Sequence, residues 1–199
     1  MNLFGASGHC KVIIDILKKN NSKITAIYDD DASIVKLLNY KVTCLTNDIK
    51  GEFIISIGNN RMRKKVTNRL NGYFGKAIHP QSIISCYSSI NEGTVIMAGA
   101  IISADVKIGK HVIVNHNSSI DHDCCIENYV HVSPNASLAG NVIVGEGTQI
   151  GIGACVIPGV TIGKWVTIGA GAVIINNIPD YAVVVGNPGK IIKYNIENE

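Results

Sequence analysis

The sequence predicts an α/β N-terminal domain of Rossmann-like βαβ type, residues 1–80, followed by a parallel β-solenoid, residues 81–199. Three observations lead there. A strand, a Gly-rich turn and an amphipathic helix open the chain. From residue 84 onward every sixth residue is aliphatic. Four residues after each of these stands a small or β-branched residue.

The first strand, turn and helix are "MNLFGASGHCKVIIDILKKN", where Val12, Ile13, Ile16 and Leu17 have helical spacing. "KITAIYDDD" reads as a second strand with Asp29 and Asp30 at its end. "GEFIISIGNN" reads as a third strand leading into the basic helix "RMRKKVTNRL", and "GYFGKAIHP" as the return strand and linker. Gly5 and Gly8 bracket a turn whose backbone N–H groups can meet a phosphate at a helix N-terminus. Asp29 lies 21 residues after Gly8, the spacing of a ribose-binding acid, although "GASG" lacks the full dinucleotide fingerprint. The run Arg61, Arg63, Lys64, Lys65 and Arg69 reads as a solvated helix face.

The aliphatic series runs from Ile84 through Ile120, Ile126 and Val132 to Ile174, sixteen successive positions without a miss. A period of six fits neither a 3.6-residue helix nor a hairpin meander; it fits hexads, each a short strand and a turn, stacked around a narrow apolar interior. Glycine, frequent after the aliphatic residue as in "VGEG" and "IGIG", relieves the turn. In this register Ile120 and Cys124 face inward, so Asp121, His122 and Asp123 project outward. An imidazole flanked by carboxylates is suited to act as a general base near neutral pH.

The repeat resembles the left-handed parallel β-helix of hexapeptide acyltransferases, and the hand comes from that resemblance, since the rule for parallel crossovers favours the opposite one. In that family three hexads make an 18-residue coil, and the helices associate as trimers. "GASGH", "YDDD" and "IGNN", joined to an uninterrupted solenoid, resemble the sugar O/N-acetyltransferases of the sialic-acid O-acetyltransferase and bacillosamine-pathway type over nearly the whole chain. That resemblance implies an acetyl-CoA-dependent N-acetyltransferase acting on the 4-amino group of a nucleotide-linked amino-deoxy sugar in bacterial surface glycan or glycoprotein biosynthesis. The alternative it leaves is an O-acetyltransferase of sialic acid or another surface sugar. Carried over, His122 is the base and Asp123, where relatives often carry Glu, raises its basicity. His131 contacts the acetyl group, and acetyl-CoA runs along the same edge past Gly140, Ile152 and Ala170, with Lys190 in the "VVGNPGKIIK" tail as a phosphate partner. Ser7, Gly8, His9, Asp29, Asp30 and Gly58 bind the sugar nucleotide. Active sites are expected between subunits of a homotrimer.

Other classes are disfavoured by composition. A net charge of +3 is small for a nucleic-acid binder, and there is no 18-residue apolar run for a membrane span. "MNLFGASGHC" has no basic n-region, and six cysteines without C-x-x-C read as reduced thiols, so a cytoplasmic location is expected. His111 and His116 are spaced as in zinc-binding hexapeptide carbonic anhydrases, but no third ligand has the matching spacing, so no metal is expected.

Overall fold

The computed structural model describes residues 1–44, 51–70 and 72–195. The N-terminal elements are β1 (Asn2–Phe4), α1 (Gly8–Lys19), β2 (Ala26–Asp29), β3 (Lys36–Leu37), β4 (Tyr40–Cys44), β5 (Glu52–Ile55), α2 (Asn60–Arg69) and β6 (Tyr73–Phe74). Their sheet has the order β3-β4-β2-β1-β5-β6. β1 pairs in parallel with both β2 and β5. The chain therefore leaves β1 first to one side and then to the other, which opens a crevice beyond the strand ends where doubly wound sheets hold ligands. The hairpin β3–β4, with its few alternating apolar residues, was not legible in the sequence.

The two helices cover opposite faces of this sheet. α2 sets Val66 against Phe4, Tyr28, Phe53 and Ile55. α1 buries Cys10, Ile13, Ile14 and Leu17 in a cluster that also contains Val95, Met97 and Ile113 of the solenoid. α1 is thus sandwiched between sheet and solenoid, which fixes the domain by apolar burial of α1 on both sides.

The solenoid is built as the hexads dictate. Each hexad contributes a two-residue strand, and each strand pairs in parallel with the strand 18 residues on, as in Val95↔Ile113 and Ile113↔His131. The first strand is β7 (Ala77–Ile78), which pairs with Val95–Ile96. The solenoid sheet therefore takes in residues N-terminal to residue 81, one hexad before Ile84. Three sheets form the sides; one of them is completed by Ala182–Val185 and the antiparallel Lys190–Tyr194. The inward aliphatic residues from Ile96 to Ile174 and their small partners from Ala100 to Ala172 form one continuous buried cluster.

The turns divide the glycine work in two. The left-handed corner positions carry Gly93 and Gly147, but also Asp105, His111, Asp123, Tyr129, Asn141 and Trp165. The glycines directly after the aliphatic residues serve close stacking instead: a Cβ on Gly145 would lie 2.6 Å from the carbonyl carbon of Gly163 in the next coil. The expectation that these glycines relieve turn strain is corrected accordingly, because the strained φ falls two residues later.

The reading of the basic helix α2 as a solvated face holds for Lys65 and Arg69, which are exposed, and is corrected for the rest of the run. Arg63 is 1% exposed. Arg61 stacks 4.9 Å over the Trp165 ring, Lys64 pairs with Glu146, and Asn60 donates to the Gly147 carbonyl at 3.0 Å. Aliphatic stems and cations pack onto aromatic corner residues, so the helix reads as polar while docking against the solenoid.

Candidate active site

His122 leads into a corner. Asp123 has φ of +60°, and this left-handed turn places consecutive side chains together instead of alternating them as a strand would. His122 Nδ1 lies 2.8 Å from Asp123 Oδ2, and Nε2 lies 4.0 Å from Asp121 Oδ2. The Asp reaches the ring in spite of being shorter than Glu. The hydrogen bond to Asp123, reinforced by the charge of Asp121, raises the imidazole pKa above its ordinary value. With Nδ1–H donating to Asp123, Nε2 of this exposed residue is left unprotonated as a base. The ring packs closely against the next coil: a Cβ on Gly140 would sit 2.6 Å from His122 Cε1.

His131 is held differently. It stands at the start of a strand between Ile113 and Gln149. Asn115 Nδ2 donates to His131 Nε2 at 3.0 Å, and Asn115 Oδ1 accepts from the His116 backbone N–H at 2.8 Å. That second bond fixes the amide orientation, so Nε2 is the acceptor and the His131 proton is on Nδ1. Nδ1 is buried without a hydrogen-bond partner. Burial, with the Arg63 charge next, lowers the His131 pKa to about 3. A neutral ring with its proton on Nδ1, close to the Gly58 backbone, is a hydrogen-bond donor and no base. Asn115 was missed in the sequence reading, although the 18-residue register places it beside the strand of His131, and His116 was considered only as a metal ligand.

The N-terminal residues converge at the strand ends. Ser7 caps α1 with its hydroxyl uncommitted to the helix, and a Cβ on Gly8 would meet open space. Gly5 has φ of +106° and approaches Ile57 so closely that only glycine fits. Asp29 is committed to this loop: its carboxylate accepts from the N–H of Ala6 at 2.6 Å and of Asp31 at 2.9 Å. Asp30 pairs with Arg69 at 2.9 Å. His9 Nε2 is buried without a hydrogen-bond partner, and burial together with Arg63 lowers its pKa to about 4. Gly58 sits in the facing loop after β5, its carbonyl accepting from Arg63.

The structure separates the remaining candidates. His122 and Gly140 adjoin the corner of Asp123 and Asn141, whereas Ile152 and Ala170 adjoin the corner of Gly153 and Gly171. The expectation of one shared edge is corrected by arithmetic: twelve residues from Gly140 to Ile152 are two hexads, and only multiples of 18 stay on an edge. His131 lies on yet another strand stack, in the sheet that packs against α1. Lys190 is exposed in the C-terminal hairpin. His111 is buried, stacked 5.3 Å from Tyr129 and edge-on to Phe74.

Residues 1–70 match the PglD N-terminal domain family, and residues 141–176 the bacterial transferase hexapeptide repeats. The fold superposes with a TM-score of 0.90 on a histidine variant of perosamine N-acetyltransferase from Caulobacter crescentus in complex with CoA and GDP-perosamine, at 34% identity over 96% of each chain. The acetyltransferase domain of PglB from Neisseria gonorrhoeae FA1090, a domain also solved with acetyl coenzyme A, is 35% identical over 96% of this chain and 98% of its own, with a TM-score of 0.89. A UDP-N-acetylbacillosamine N-acetyltransferase of Bacillus subtilis (strain 168) is 39% identical over 110 residues, a match spanning 48% of this chain and 50% of that relative.

Proposed function

Because this chain belongs to the hexapeptide-repeat sugar N-acetyltransferases with a PglD-type N-terminal domain, we propose that it transfers acetyl from acetyl-CoA to the 4-amino group of a nucleotide-linked amino-deoxy sugar. The product would serve bacterial surface glycan or glycoprotein biosynthesis in the cytoplasm. The observation that carries the reading is His122, exposed on a rigid corner, hydrogen-bonded through Nδ1 to Asp123 and presenting Nε2 to solvent.

In this reading the sugar nucleotide lies across the strand ends among Ser7, Gly8, His9, Asp29, Asp30 and Gly58. The amine attacks the thioester carbonyl, His122 Nε2 takes the amine proton, and the tetrahedral intermediate collapses with CoA as the thiolate leaving group. His131 Nδ1–H donates to the acetyl oxygen as charge develops there. Gly140, Ile152, Ala170 and Lys190 flank the CoA arm. Since His122 and His131 occupy different sides of one solenoid, both reach a single substrate only across a subunit boundary. This reading expects a homotrimer with sites between subunits, as the family resemblance implies, and an inactive monomer. The amine is favoured over a hydroxyl because these relatives are named as N-acetyltransferases of amino sugars.

The test is CoA release from acetyl-CoA against UDP-, GDP- and dTDP-linked 4-amino sugars, with CMP-sialic acid and sialic acid alongside. Release with one amino sugar is expected. Release with the sialic acids alone would replace N- by O-acetylation.

A further inference from the structure

Arg63 donates five hydrogen bonds and meets no carboxylate among them. Nε donates to the His111 carbonyl at 2.9 Å, and Nη2 to the Tyr129 carbonyl at 2.8 Å and to Asn60 Oδ1 at 2.8 Å. Nη1 donates to the carbonyls of Ile57 and Gly58, both at 3.0 Å. Burying a cation among neutral acceptors is unfavourable unless every donor is used. A surface helix could dock by its apolar residues and corner stacking alone, so the placement asks for another reason.

The acceptors supply one. Ile57 and Gly58 form the loop beyond β5, on one wall of the crevice. His111 and Tyr129 are corner residues of successive coils, and His131 follows Tyr129 by two residues. One planar fork thus spans from the nucleotide loop to the coil that presents His131. We propose that Arg63 is a positioning residue that sets the Ile57–Gly58 loop of the sugar-nucleotide crevice against the coil carrying His131. This rests on the functional reading above for the identity of the ligands. Its charge also bears on the neighbouring rings: after burial it is the next cause holding His9, His111 and His131 below the ordinary imidazole range. Lysine cannot replace the fork, since one ammonium has three donors on a single atom, whereas these five acceptors are served by three nitrogens spread across a planar group.

The test compares wild type, Arg63→Lys, Arg63→Gln and Asn60→Ala. Melting temperature and oligomeric state check folding, and calorimetry measures the affinities for UDP, GDP, dTDP and CoA. The proposal expects both Arg63 variants to bind the preferred nucleoside diphosphate at least tenfold more weakly, with CoA affinity within twofold of wild type. Asn60→Ala keeps Arg63 and removes one acceptor, and should weaken the nucleotide about threefold. It stands in for the Arg63 variants if those fail to fold. Arg63→Lys binding both ligands as wild type does would overturn the proposal, because charge alone would then suffice. Equal loss of nucleotide and CoA would overturn it too, as general damage. A wild type that binds a nucleoside diphosphate yet acetylates no amino sugar sinks the functional reading and leaves the Arg63 result standing.

Discussion

At His122 the chemistry depends on one torsion. Asp is among the few residues that tolerate a left-handed backbone, and that backbone brings its carboxylate to Nδ1. Replacing His122 with Ala should lower kcat/KM by about 10²- to 10⁴-fold, the usual range for losing a general base. Because the His122 pKa is raised, the unprotonated base predominates only above the ordinary 6.5, and the rising limb of the pH–rate profile should lie above that pH. Asp123→Asn keeps the backbone preference and removes the charge, so that limb should move to lower pH and the plateau should fall. A limb that stays put would mean that another group titrates. His122 and Asp123 were legible because the inward register left them outside. Arg63 was not, because a basic run on a helix gives no sign that another domain covers it.

At the scale of the coil, each residue's neighbours are fixed 18 positions away. Gly140→Ala would push a methyl group into the His122 ring. Activity should fall at least tenfold while the melting curve changes little, a contrast that steady-state kinetics and calorimetry can read. Ile150, fully buried in the solenoid core, tests the interior: Ile150→Ala should cost about 2–5 kcal/mol in chemical denaturation. Hexad, strand and core were all legible, since one six-residue period fixes them together. What escaped was the outward side, where Val95, Met97 and Ile113 receive α1. Periodicity shows which residues face in and is silent on which outward residues find a partner.

Across the whole molecule, three histidines are held neutral where domain meets solenoid, His111 buried and His9 and His131 half-buried. His9 and His111 have pKa values lowered to about 4 and His131 to about 3, chiefly by burial. The unfolded chain takes up these protons near pH 6.5, whereas the folded one does not. Stability is therefore fully present above that pH and is lost as pH falls from 6.5 toward 4. Calorimetric melting temperatures should drop steeply across that window, and His111→Phe should flatten the drop; a pH-independent melting point would contradict the burial of these rings. If the proposed trimer forms the sites, activity should also fall on dilution below the dissociation constant of the subunits, with the loss matched by dissociation in sedimentation. The domain order was legible from sequence, but the docking was not, because it is made by side chains whose types belong equally to an exposed surface.

The 18-residue stacking makes the solenoid a ruler. Each added coil lengthens it by about 4.8 Å, the spacing of paired strands, and gives every inward side chain the same kind of neighbour as before. Duplicating one coil between His122 and Ala170 would leave His122 and Asp123 intact on their corner and carry the upper residues one graduation further away. The axial distance between His122 and any residue beyond the inserted coil can thus be changed only in whole steps.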